Sequence, residues 1–141
     1  MKRVFALIFA LAVALIVSAC TSMIQQDADL EAVTGTLTYK ERLALPDNAR
    51  ITVTLADVSK MDAPADVISS QAFLADGQQV PFNYQLNFSR QEIVPNHTYA
   101  VSARIEVDGK LLFITDTANH VLTDQAESTS KNLVLVQVRQ P

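Results

Sequence analysis

The chain has 141 residues, 11 basic against 15 acidic side chains, an apolar content of 49%, three glycines, one cysteine and no tryptophan. The acidic balance gives no footprint for nucleic acid, and a lone thiol excludes an internal disulfide, so stability must come from a packed core. The length allows one domain and a short leader.

The leader comes first. Lys2 and Arg3 precede fourteen uninterrupted apolar residues, Val4 to Val17, and then the small residues Ser18 and Ala19. As a helix this run reaches only about 21 Å, against roughly 30 Å of bilayer hydrocarbon. It reads as a cleavable signal rather than a permanent span. Val17-Ser18-Ala19-Cys20 resembles the bacterial lipobox. That resemblance implies diacylglyceryl (palmitate-type) modification of the Cys20 thiol, cleavage between Ala19 and Cys20, and acylation of the new amine. A thiolate suits thioether formation, and several acyl chains make a lasting anchor where one does not. By resemblance to bacterial sorting rules, Thr21 after the cysteine implies the outer membrane, with the domain facing the periplasm. Removal of residues 1–19 takes away Lys2 and Arg3 and leaves 9 basic and 15 acidic residues, a net charge of −6. Surface charge would not hold such a domain on anionic lipid, so the acyl chains must. Residues 20–32, polar and without a strand period, read as the lipidated N-terminus and a tether.

From residue 33 to 140 the pattern alternates. Val33 to Lys40 puts Val33, Gly35, Leu37 and Tyr39 on one face, and Arg50 to Val58 does the same with Ile51, Val53 and Leu55. This is the period of half-buried strands rich in β-branched residues. Further strands are expected at Asp66–Leu74, Val80–Asn87, Tyr99–Val107, Lys110–Thr115 and Asn132–Val138, the last apolar enough for cover on both faces. Asp108-Gly109 predicts a type I′ hairpin, and Asp76-Gly77 a turn of similar chemistry. Ser89-Arg90-Gln91-Glu92 has the capping-box spacing, and Tyr99 is placed to return its hydroxyl to the preceding loop as in a tyrosine corner. The expectation is an all-β domain: one antiparallel β-sandwich of about seven strands, Greek-key and Ig/transthyretin-like.

Gly35 to Gln71 and Pro95 to Thr117 resemble the YbaY/YscW lipoprotein family, the type III secretion lipoprotein chaperones or pilotins. The resemblance is carried by Tyr39-Lys40-Glu41-Arg42 running into Ala44-Leu45-Pro46, by Leu55 to Ser59 with Asp62-Ala63-Pro64, and by His97-x-Tyr99, Ala103-Arg104-Ile105 and Asp108-Gly109. It implies a compact β-sandwich lipoprotein facing the periplasm and, in specialised members, a pilot that escorts a secretin subunit. It carries over no catalytic residue.

Chemistry is sparse. His97 and His120 are 23 residues apart and read as loop or turn residues rather than metal ligands. Asp57, Asp62 and Asp66 read as turn caps, since the loop lacks the glycine of an EF-hand. No nucleophile elbow, zinc motif, C-x-x-C or phosphate loop occurs, so neither an enzyme, a metal nor a cofactor is expected. Glu41–Arg42 and Arg104–Glu106 read as cross-strand ion pairs, with Arg42 and Arg104 alternatively offered to an acidic partner. In Val80 to Phe88, Pro81 marks an edge strand, which would let a partner strand pair along Asn83, Gln85 and Asn87. The leading expectation is therefore a monomeric, lipid-anchored envelope domain that binds or escorts a protein. The alternatives are an envelope-polymer or carbohydrate-binding module, short of aromatic platforms, and an unrecognised hydrolase.

Overall fold

The computed structural model describes residues 30–139; the signal segment, Cys20 and residues 21–29 of the tether lie outside the described residues. The elements are β1 (Leu30–Tyr39), β2 (Arg50–Asp57), β3 (Asp66–Leu74), β4 (Phe82–Ser89), a short 3₁₀ turn (Arg90–Glu92), β5 (Tyr99–Val107), β6 (Lys110–Ile114), β7 (Asn119–Val121) and β8 (Leu133–Gln137). β1 begins at Leu30, so the last three residues assigned to the tether are already strand.

The strands form one sheet ordered β3-β2-β5-β6-β8-β1-β4, with β7 pairing β5 beside this path. Every neighbouring pair on the path is antiparallel except β1 and β8, which run parallel from Leu37↔Leu133 to Tyr39↔Leu135. β8 also pairs β6 through Val136 and Gln137, and so joins what would be two layers into one nearly closed, barrel-like sheet. This corrects the expected antiparallel sandwich. Irregularities at Leu55/Ala56 and Ile105/Glu106 add local twist and bend. The ring stays open only between β3 and β4, which share no ladder.

The alternation places the core as the sequence predicts. Val33, Leu37 and Tyr39, then Ile51, Val53 and Leu55, then Phe82, Tyr84, Leu86 and Phe88 all point inward and are buried. Tyr99, Val101, Ile105 and Phe113 fill the middle, and Tyr39 stacks on Phe113 with ring centroids 4.1 Å apart. β8 departs from expectation. Leu133 and Leu135 are buried, but Val134 and Val136 are 45% and 36% exposed, so this strand is covered on one face only.

The turns follow their chemistry. Asp108 and Gly109 both have positive φ, at 52° and 78°, as a type I′ turn needs, and Asp76 and Gly77 repeat the pattern at 50° and 83°. Tyr99 makes the predicted corner: its hydroxyl accepts from the Val94 N–H at 2.9 Å. The capping box does not form its side-chain bond; Ser89 leads into the 3₁₀ turn with an extended backbone only.

One close approach ties the ends together. The Thr34 N–H donates to the Thr129 carbonyl and the Lys131 N–H to the Thr34 carbonyl, both at 3.0 Å. The Lys131 carbonyl then accepts the Tyr84 hydroxyl at 2.5 Å. A Cβ at Gly35 would stand 1.8 Å from that carbonyl oxygen. Gly35→Ala should therefore cost about 3 kcal/mol or more, because the obstacle is backbone. At Gly109 a Cβ meets nothing within 4 Å, so Gly109→Val should cost only the left-handed backbone strain, about 1–2 kcal/mol. Denaturant melts of the two variants check the order; equal losses would contradict it.

Candidate functional site

β4 is an edge strand, as Pro81 indicates, and its backbone geometry is fixed by its neighbour. Thr34 spends its N–H and carbonyl on the 129–131 segment, away from β4. Thr34↔Gln85 is therefore a pair without mutual hydrogen bonds. By the alternation of an antiparallel ladder, Asn83, Gln85 and Asn87 turn their backbone N–H and carbonyl groups outward, into the gap facing β3. Their side chains are exposed, while Phe82, Tyr84, Leu86 and Phe88 between them are buried.

The gap opens onto a hollow of about 630 Å³ lined by Thr34, Thr36, Gln71, Asn83, Gln85 and Asn132, among others. Its bonds are between amides and hydroxyls. Asn132 Oδ1 accepts from the Thr36 N–H and hydroxyl at 3.3 and 3.1 Å. Gln71 Oε1 accepts from the Gln85 N–H at 2.9 Å, and Gln85 Nε2 donates to Asn87 Oδ1 at 2.9 Å. Asn83 and Gln85 thus share one surface, with Asn87 next along the strand. The other two nominated residues lie apart from it. Arg104 faces a separate hollow of about 370 Å³ over β2 and β5, and pairs with Glu106 along its own strand rather than across strands. Arg42 is exposed beyond β1, and the expected Glu41–Arg42 pair is not among the ion pairs of the described residues. An unforeseen pair, Arg90–Glu31 at 2.8 Å, links the far end of β4 to the start of β1.

A second polar cluster lies at one end of the barrel. Asp57 Oδ2 meets His97 Nδ1 at 2.5 Å, and Asp57 Oδ1 accepts from the Ser59 N–H at 3.0 Å and the Ser59 hydroxyl at 2.5 Å. Ser59 Oγ in turn accepts from the Thr98 N–H at 2.8 Å. Asp57 caps its turn as the sequence predicts, while Asp62 and Asp66 take no part. His97 is more than a bland loop residue: it ties the turn after β2 to the loop before β5, a contact across 40 residues that no local pattern signals. Serine, aspartate and histidine here do not make a nucleophile relay. Ser59 and His97 both bind the carboxylate, so no base sits on the serine. Among the described residues no group of three potential metal ligands occurs.

The bonds from Ser59, with a smaller contribution from His97, hold the Asp57 carboxyl down at about 2, against an ordinary value of 3.8. A carboxyl whose folded value is depressed stabilises the fold fully above its unfolded value and loses that contribution as pH falls through the folded one. Asp124, held low by Ser128, acts in the same direction. Between about pH 4 and pH 2 the melting temperature of wild type should fall more steeply than that of Asp57→Asn. Parallel curves would show that the tie carries no acid-sensitive stability.

Comparison with known proteins agrees with this fold. The family model described as type III secretion system lipoprotein chaperone (YscW) matches residues 28–135. The uncharacterized lipoprotein YbaY of Escherichia coli (strain K12) is 41% identical over 108 residues, which are 77% of this chain and 56% of that protein. The match thus spans little more than half of that relative's length. The solved structure of an alternative pilotin from the type II secretion system of Vibrio cholerae superimposes with a TM-score of 0.77 at 49% identity, over 79% of this chain and 99% of that one. A match over most of the chain, on the strands that build the barrel, shows that the protein belongs to the YscW family of lipoprotein chaperones.

Proposed function

We propose that this protein is a non-enzymatic envelope lipoprotein, anchored through acylated Cys20 after loss of residues 1–19, whose domain binds and escorts a protein partner at the outer membrane in the manner of a pilot. The outward backbone edge of β4 carries the reading. It offers donors and acceptors at Asn83, Gln85 and Asn87, beside a hollow with no charged residue in its lining, which suits a main-chain contact with a partner. Kinship with a pilotin supports partner binding as the class of activity. The lipobox at the start of the chain supports the anchor. Arg42, exposed and outside the ion pairs of the described residues, is the better contact for an acidic partner; the Arg104 charge is already met by Glu106.

A polymer-binding reading needs an aromatic face open to solvent. All three tyrosines are buried, with Tyr39, Tyr84 and Tyr99 at 5%, 3% and 1% exposure. That leaves sugar rings no tyrosine to stack on, and the protein-partner reading stands ahead.

Two variants test the two halves. Cys20→Ser should accumulate as uncleaved precursor and take up no labelled fatty acid; a mature, lipidated Cys20→Ser protein would refute the anchor. Gln85→Pro removes an N–H that β1 does not use, so the β1 ladder should survive. Crosslinking in intact cells should then recover envelope partners with wild type and lose them, about tenfold or more, with Gln85→Pro of matched circular dichroism. Equal recovery from both would remove β4 as the docking edge.

A further inference from the structure

The last strand carries more apolar surface than the fold uses. Leu133 and Leu135 of β8 are buried, whereas Val134 and Val136 on its outer face are 45% and 36% exposed. A strand covered on one side only ordinarily alternates with polar residues, as its neighbour β1 does with Thr36 and Thr38. The excess continues sideways: Ile114 of β6, itself exposed, is the register partner of Val136. This stripe runs into a hollow of about 690 Å³ lined by Leu112, Val136, Val138, Glu41, Gln137 and Arg139. Cations gather there. Lys40 and Arg42 flank Glu41 in the chain, Lys110 opens β6 two residues before Leu112, and Arg139 lies in the lining. All four are exposed and stand outside the ion pairs of the described residues. Of the carboxylates nearby, Glu106 pairs with Arg104 and Asp108 accepts from Asn48 at 2.7 Å, which leaves Glu41. In a chain that carries a net −6 from Cys20 onward, this is a local reversal of sign.

We propose that the outer face of β6 and β8 docks an acidic amphipathic helix of a protein partner, its apolar side chains on Ile114, Val134 and Val136 and its carboxylates toward Arg42 and Arg139. This rests on the protein-binding reading above but uses a different surface, which β1 separates from β4. The occupant is a helix because β8 is laddered on both sides, by β6 and by β1, and so presents side chains only. A segment lying on that face must satisfy its own peptide groups. Two strands about 4.8 Å apart also offer a width of about 10 Å, the breadth of a helix. Opposite charge makes it acidic, since like charges brought together there would oppose docking. A second copy joined through the same face would bring a second set of cations to it. Nor is the occupant anionic lipid. The tether enters β1 at Leu30, and Lys40 follows the far end of that strand, about 30 Å along it, so the cations are carried away from the anchor. The nearly unbroken apolar run of β8 then has its cause: one face serves the core and the other serves the partner.

The probe is a fluorescein-labelled, capped helical peptide of about five turns, with leucine along one face and glutamate along the other. It is titrated against the full lipidated chain in nanodiscs of zwitterionic lipid, read by anisotropy, with empty nanodiscs subtracted. Val136→Asp should weaken binding roughly tenfold or more, because it removes a valine-sized apolar contact and sets a carboxylate among glutamates. Arg139→Glu, at an exposed position past the strand end, should weaken it roughly three- to tenfold, by an amount that shrinks as salt is raised. The same peptide with lysine for glutamate should bind wild type more weakly than the acidic one. The surface is overturned if wild type does not bind the acidic peptide, if the lysine peptide binds equally well, or if both variants, with wild-type circular dichroism, keep full affinity. A dimer in sedimentation that Val136→Asp dissociates would assign the face to a second copy and overturn it too. Gln85→Pro leaves this face intact and should bind the peptide as wild type does. Loss of cellular partners by Gln85→Pro, with peptide binding indifferent to Val136→Asp and Arg139→Glu, would keep the β4 contact and discard this one. Peptide binding lost in those two variants, with partner recovery indifferent to Gln85→Pro, would uphold this surface and discard the β4 contact.

Discussion

The Lys131 carbonyl occupies the space where a side chain at position 35 would begin, and the Tyr84 hydroxyl donates to it from β4. Three segments far apart in sequence meet at this point: β1, β4 and the run leading into β8. The approach brings the 129–131 backbone alongside Thr34 and extends the parallel pairing of β1 with β8. Burial pushes the Tyr84 hydroxyl up to about 12, so it remains a donor throughout the physiological range. Because Thr34 turns its peptide groups toward the 129–131 run, Gln85 opposite it must turn its own outward. The missing Cβ of Gly35 thus reaches the candidate site: it bears on which backbone groups of β4 turn outward.

Much of this was legible in the residues. Apolar patterns located seven of the eight described strands, two of them to the residue: period-two alternation in β1, β2 and β4, and a nearly unbroken apolar run in β8. Asp108-Gly109 and Tyr99 were readable because their geometry is local. Pro81 marked the edge. What could not be read is non-local. The parallel join of β1 to β8 leaves no mark in either strand, since a strand bordered by a parallel neighbour alternates like any other. β7 is three residues long, too short to show a period. The apolar run of β8 signalled cover on both faces, yet Val134 and Val136 lie on the outer surface. Asp57 and His97 carry no shared motif, and only the fold brings them within bonding distance.

Charge and neutrality are kept apart in the molecule. Of the described ion pairs, Arg90–Glu31 and Asp57–His97 join neighbouring segments around the barrel, and Arg104–Glu106 lies along β5. Surface pairs of this kind contribute little stability; the core of β-branched and aromatic side chains carries the fold. The gap beside β4 is instead built from amides and hydroxyls, groups that exchange one partner for another at small net cost.

The pairing of β1 with the run into β8 also sets an order of events in time. Thr36 and Asn132, which bond across this junction, are separated by 96 residues. In a chain delivered N-terminus first, β1 would emerge early and wait for almost the whole domain before its neighbour arrived. Contacts of such long separation are slow to form, and until they form Tyr84 has no carbonyl to meet and the β4 backbone has no fixed orientation. The proposed docking edge would therefore come into being only with β8, so that a chain stopped before β8 could not present it. Arrival of β8 and competence to bind would be the same event.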